Sequence, residues 1–220
     1  MNARLQQAVS LYRALPWRER FHVEARASSA PLASLVARTP AGRVADVGCG
    51  HGLLSALLAQ DSARRQVVGV DPDSRKIHWA RQAAGALPNV SLREGRIEDL
   101  LPAEEGRFDA VVVADVLYLL PEEAARSFLA AAFRLLKPGG RLLLNEAEAD
   151  GGWRALKWRA QEWVMVQALR RTQGSGALGL LPREEQVARL IAAGFRVEEV
   201  RSLARGYSSP HVLFNAQRPA

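Results

Sequence analysis

The stretch Arg43-Val-Ala-Asp-Val-Gly-Cys-Gly-His-Gly-Leu-Leu-Ser55 leaves a chain of this kind few ways to fold. Val44, Ala45 and Val47 form a short apolar run with β-branched members, Gly48, Gly50 and Gly52 break it, and Leu53, Leu54, Leu57 and Leu58 follow at helical spacing. The pattern predicts a strand, a glycine turn and a helix. A residue without Cβ can take φ > 0 and lets the backbone come close to a ligand, while the N–H groups that open a helix stay free to donate. The turn therefore reads as the floor of a nucleoside-cofactor site.

The rest of the chain repeats the unit. Gln66-Val-Val-Gly-Val-Asp71-Pro72 is a second buried strand ending in an acid, placed as an acid that accepts both hydroxyls of a ribose is placed in a doubly wound sheet. Residues 89–93 form a third strand, and Phe108-Asp-Ala-Val-Val-Val-Ala-Asp115 a fourth, again ending in an acid. A helix over residues 121–136 has Pro121 in its first turn and is stopped by Lys137-Pro-Gly-Gly140, which leads into a fifth strand over residues 141–146. Strands alternating with helices imply parallel pairing and right-handed crossovers. After a helix at 183–193, residues 195–203 and 211–216 read as strands joined by a link too short for a helical crossover, so they are expected to be antiparallel.

With 220 residues, the chain suits one domain: an N-terminal helical cover (1–40), a cofactor-binding core (41–147), a helical insertion or lid (148–181) and a last helix with a β-hairpin (182–220). The leader is expected to hold helices over residues 3–15, 17–27 and 31–37, either packing on the core or covering the site. Arg20, His22 and Arg26 are its polar residues of interest. The hydrophobic fraction of 48% and charged fraction of 24% are ordinary, and no apolar run approaches the ~20 residues of a membrane span. The N-terminus lacks the apolar region of a signal peptide, which makes the cytoplasm the expected location. Cys49 is the only cysteine, which excludes an internal disulfide, and no metal site is read. The net charge of +7 is carried almost wholly by Arg, without a block of like charges, so nucleic acid is not favoured as a partner.

The glycines follow G-x-G-x-G and not the G-x-G-x-x-G of a dinucleotide reader, since Leu53 and Ser55 stand where the third glycine would fall. In this form Asp46-Val-Gly-Cys-Gly-His-Gly52 resembles the glycine motif of class I S-adenosylmethionine-dependent methyltransferases. Gly69-Val-Asp71, Phe108-Asp109 through Asp115, Leu136-Lys-Pro-Gly-Gly-Arg-Leu142 and Gly194-Phe195 are similar to further motifs of that family. The resemblance covers roughly residues 40–217. It implies an α/β fold, a doubly wound, seven-stranded, mostly parallel sheet whose last strand is antiparallel (Rossmann-like), and S-adenosylmethionine as cofactor.

Carried over by position, the resemblance puts Asp46, Gly48, Cys49 and Gly50 beside the methionine part of the cofactor, Asp71 on the ribose diol and Pro72 near the adenine. Gly95-Arg-Ile-Glu-Asp99 matches the adenine loop, but Arg96 stands where the family often has an acid, which leaves Ile97 through its backbone, or Glu98, to recognise the base. Asp115 to Tyr118 would face the methyl group and the acceptor.

Methyl transfer displaces an activated sulfonium, so alignment and exclusion of water supply much of the rate, up to ~7–11 kcal/mol for well-oriented reactants. A base is needed only for a hydroxyl or phenol acceptor, and Tyr118, Glu146, His211 and Tyr207 are the candidates. Cys49 reads as a small residue filling a tight turn, not a nucleophile. His51 reads as a surface or loop-packing residue, and Glu146 as either a site-facing carboxylate or a solvated strand end. Residues 153–171 form a Trp-bearing helical pattern that suits burial on both sides, a substrate lid, a homodimer contact or peripheral contact with a membrane surface. The expected function is methyl transfer to a small apolar or aromatic molecule. The alternatives are a nucleic-acid methyltransferase, against which the fourth strand ends Ala-Asp-Val-Leu, and a non-catalytic cofactor-binding partner subunit.

Overall fold

The computed structural model describes residues 3–147, 180–203 and 211–220. The Trp-bearing stretch 153–171, with the rest of 148–179, and Tyr207 lie outside the described residues. Seven strands, β1 (Gly42–Val47), β2 (Arg65–Asp71), β3 (Val90–Glu94), β4 (Phe108–Ala114), β5 (Leu136–Ala147), β6 (Arg196–Ser202) and β7 (His211–Gln217), form one sheet in the order β3-β2-β1-β4-β5-β7-β6. β1 pairs in parallel with β2 and with β4, and β4 in parallel with β5. β7 lies antiparallel between β5 and β6, as the short link before it requires.

The described helices are α1 (Ala3–Ser10), α2 (Trp17–Ser29), α3 (Leu32–Arg38), α4 (Leu53–Asp61), α5 (Ser74–Ala84), α6 (Leu101–Glu104), α7 (Glu122–Leu135) and α8 (Arg183–Ala192). They cover both faces of the sheet, which is why the central strands read as continuous apolar runs. Alternate residues feed opposite layers: Val44, Val67, Ala110, Val112 and Leu143 pack with Leu35 of α3 and Leu58 of α4. Val68, Val111, Val113, Leu142 and Leu144 pack with Phe128 and Leu129 of α7 and Leu190 of α8.

Several boundaries differ from expectation: β5 begins at Leu136 and takes in Lys137 to Gly140, and β4 ends at Ala114, one residue before Asp115. The first helix ends at Ser10 and not near residue 15, because tighter turns follow (Leu11 N–H to Ala8 O, 3.2 Å; Tyr12 N–H to Val9 O, 3.1 Å) and bring Tyr12 inward. There its hydroxyl donates to His51 O at 2.8 Å. Pro121 stands just before α7 and not within it: its ψ of 154° is extended, while its carbonyl accepts the Ala125 N–H at 2.9 Å.

Strand order reverses between β1 and β4, so the connections from their carboxyl ends leave in opposite directions and open a crevice there. Asp46, Asp71, Asp115 and Glu146 all lie at or beside that edge of the sheet.

Candidate cofactor and acceptor site

A cavity of about 350 Å3 fills the crevice, inside the ~300–1,000 Å3 usual for small-molecule sites. Asp46, Gly48, Cys49 and Gly50 line its floor, Asp71, Pro72 and Lys76 one side, Asp115, Val116, Tyr118, Leu119 and Leu120 the other, and His22, Val23 and Arg26 of α2 its roof.

The glycine turn is fixed by the neighbouring strand. Gly48 and Cys49 both donate to Val70 O, at 2.8 and 3.1 Å, and the Gly50 N–H donates to Asp71 Oδ2 at 2.9 Å. Gly48 has φ 75°, and a Cβ there would lie 2.4 Å from Val116 Cγ2, so only glycine lets the turn meet the loop that leaves β4. At Gly50, φ 54°, a Cβ would meet nothing nearer than Lys76 Cδ at 4.0 Å; this part of the turn faces open space. The other oxygen of Asp71 accepts the Asp73 N–H at 2.9 Å, and Asp73 caps α5 by accepting from Arg75 N (3.0 Å) and Lys76 N (3.2 Å).

Asp46 is buried and its Oδ2 accepts the Ser55 hydroxyl at 2.6 Å. Burial pushes its carboxyl up to about 6, against the Ser55 hydrogen bond and the charge of Arg26. Asp115 is the only non-glycine residue at positive φ among the described residues, at 58°. Burial would raise its pKa as well, but Arg26 and His211 outweigh burial and hold it down at about 2. Arg26 reaches from α2 to the Asp115 carboxylate and to Ala114 O, the latter at 3.1 Å. Behind Asp115, the Nδ1 of His211 lies 3.5 Å from Asp115 Oδ1 and 3.2 Å from Asn145 Nδ2.

Glu146 is not a solvated strand end, since it is buried and its carboxyl gathers three successive backbone N–H groups: Val116 (3.1 Å) and Leu117 (3.0 Å) on Oε1, Tyr118 (3.1 Å) on Oε2. Burial, with the charge of Asp115, pushes it up to about 8 against these donors. His51 is not on the surface. It is buried, with Nε2 2.7 Å from Glu19 Oε2 of α2, and burial lowers its pKa although Glu19 opposes this. The His22 ring lies 5.0 Å from it, centroid to centroid. α2 is thus tied to the glycine turn through Glu19 and to the end of β4 through Arg26, and it both packs and covers.

Asp46, Gly48, Cys49, Gly50, Asp71, Pro72, Asp115 and Tyr118 therefore line one cavity. Arg96 and Ile97 are outside it: Arg96 is exposed, its N–H donating to Asp99 Oδ2 at 2.7 Å, and the Ile97 side chain is buried in the core beneath α7. Glu146 and His211 stand behind the wall, in contact with its residues. Cys49 fills the turn as a buried thiol whose pKa burial pushes well above the ordinary value. The sequence reading passed over Glu19 and Lys76. Lys76 lies one turn beyond the Asp73 cap, a position with a local signal; Glu19 has none, because its partner is made by folding.

These residues fit an S-adenosyl cofactor. Asp71 is held by two N–H groups at the edge of the cavity, ready to accept a diol, the backbone over Gly50 is open, and the carboxyl of Asp46 suits a cationic ligand. Sheet order, glycine turn and oriented carboxylate together agree with what the resemblance to class I S-adenosylmethionine-dependent methyltransferases implies. Residues 44–140 match the family model described as "Methyltransferase domain". Over 103 residues, 47% of the chain, it is 37% identical to the ubiquinone biosynthesis O-methyltransferase of Xanthomonas oryzae, and the chain spans 42% of the length of that relative. Among solved structures, the pyocyanin biosynthetic protein PhzM superposes with a TM-score of 0.71 at 20% identity, over 94% of this chain and 60% of that one. The Burkholderia thailandensis 1,6-didemethyltoxoflavin-N1-methyltransferase, with 1,6-didemethyltoxoflavin and S-adenosylhomocysteine bound, gives 0.64 at 19%, over 98% and 87%.

Proposed function

We propose that this protein transfers the methyl group of S-adenosylmethionine to a small apolar or aromatic acceptor, an oxygen atom being the first choice. The observation that carries the reading is the bond from Gly50 N–H to Asp71, which sets a carboxylate and an open glycine backbone side by side on one cavity wall. The cofactor, when bound, supplies a methyl group on a sulfonium. Asp71 takes the ribose hydroxyls, Gly48 to Gly50 lie beneath the methionine portion, and Asp46 favours the cationic form. Val23, Val116, Leu119 and Leu120 give the other half of the cavity an apolar lining, which supports an apolar acceptor, as does the similarity to the ubiquinone biosynthesis O-methyltransferase.

α2 and the loop after β4 exclude water and align the acceptor, which is where most of the rate would arise. Tyr118, on the cavity wall, is the group we assign to take a proton from a hydroxyl acceptor, while His211, buried behind Asp115, supports that wall and does not reach the acceptor. Calorimetry with S-adenosylhomocysteine, followed by release of labelled methyl from S-adenosylmethionine onto a panel of phenols and enols, tests the reading. Binding of NAD in place of S-adenosylhomocysteine would overturn it.

A further inference from the structure

Three large hydrophobic side chains are strongly exposed among the described residues: Trp17 (69%), Phe21 (68%) and Ile191 (58%). Apolar residues scattered singly on a surface need no explanation. Trp17 and Phe21 are not scattered; they lie one helical turn apart on α2 and form a single outward patch. Exposed Arg13, Arg18 and Arg20 flank it, the Arg18 guanidinium lies 5.3 Å from the Trp17 ring centroid, and Glu24 is the one exposed acid on that helix. The opposite side of the same helix supplies the cavity roof through His22, Val23 and Arg26.

We propose that this face of α2 docks on the surface of an anionic phospholipid bilayer. Aromatic rings with an apolar body suit the boundary between headgroups and acyl chains, arginines suit anionic headgroups, and the net charge of +7 draws the whole chain to such a surface. A second copy of the chain fits the patch poorly. Two aromatic side chains offer about 150–250 Å2 each, well short of the ~800 Å2 per partner in a stable interface. A two-fold contact would also set Arg18 and Arg20 of one copy against those of the other. Docked through α2, the protein would hold the roof of its cavity against the lipid surface, and this docking does not depend on the acceptor proposed above.

The test is co-sedimentation of the full chain with phosphatidylcholine vesicles and with vesicles of phosphatidylcholine mixed with phosphatidylglycerol. The expected result is salt-sensitive binding to the mixed vesicles only. Trp17→Ser with Phe21→Ser lowers that binding by about tenfold or more, and Arg18→Gln or Arg20→Gln by about fivefold each. Ile191→Ser leaves it unchanged. Unaltered circular dichroism and S-adenosylhomocysteine affinity in each variant keep folding and the cofactor reading separate from the surface. No binding to the mixed vesicles, binding that survives loss of both aromatics, or a concentration-dependent dimer that the aromatic substitutions abolish would each overturn the proposal.

Discussion

Arg26, on helix α2, donates to the carboxylate of Asp115, the residue that leaves β4 at φ 58°, so the leader and the sheet meet across the cavity in one ion pair. Arg26 keeps about a third of its side chain exposed (32%), while Asp115 is buried (7%). Removing the arginine leaves a buried carboxylate beside His211 and Asn145 without its cationic partner. Arg26→Met is expected to cost about 1–3 kcal/mol at neutral pH, discounted for the exposure of Arg26. Asp115 has its folded pKa depressed to about 2, so its contribution is fully present above its unfolded pKa and is lost as the pH falls from about 4 toward 2. Urea unfolding across that range checks this, since the gap between wild type and variant should close with acid.

Asp71 both orients the glycine turn and lines the cavity. Asp71→Ala removes the acceptor proposed for the two ribose hydroxyls and frees the Gly50 N–H. S-adenosylhomocysteine affinity is expected to fall about 100-fold, the loss of charge-assisted hydrogen bonds totalling about 3 kcal/mol. Calorimetry reads it directly.

Asp46 carries a conflict between stability and binding. Its pKa is raised to about 6, so its neutral form stabilises the fold below the unfolded pKa, and that contribution is lost as pH rises through about 6. Asp46→Asn should therefore stabilise the ligand-free protein at neutral pH, by on the order of 2–3 kcal/mol, and change little near pH ~4. The same substitution should weaken binding of the cationic cofactor. In the wild type, affinity for S-adenosylmethionine should drop as pH falls below about 6, by up to about tenfold per pH unit. Affinity that is flat over that interval would remove Asp46 from the site.

Glu146 holds the loop that carries Val116 and Tyr118. Glu146→Ala leaves three backbone donors without their acceptor and is expected to cost about 2–4 kcal/mol and most of the activity. Its folded pKa of about 8 is raised, so wild-type stability should decline as pH climbs from about 4.5 to above 8, and the Tm of Glu146→Gln should stay flatter over that interval. Thermal melts at several pH values decide it.

Gly48→Ala tests the joint between turn and loop. The substitution forces an L side chain to φ 75° and a Cβ to within 2.4 Å of Val116 Cγ2. A loss of about 1–3 kcal/mol in stability and of S-adenosylhomocysteine binding is expected, with Val116→Ala in the same chain recovering part of both.

By itself the sequence determined what depends on neighbours along the chain. The strand-turn-helix at Val44 to Leu58, the acid that ends β2 and the acid just after β4, and the antiparallel final pair are local in origin. β-branched runs, glycines and link lengths restrict the backbone before any distant contact forms. Only the tertiary structure decided what each polar group faces. Glu146 reads as a free carboxylate until the loop after β4 folds over it. His51 reads as a surface or loop-packing residue until α2 brings Glu19 to it, and Asp115 stays ionised because Arg26 arrives from a helix far off in sequence. Burial and charge partners set the state of a carboxyl or an imidazole, and both are properties of packing between distant segments, which no spacing along the chain encodes.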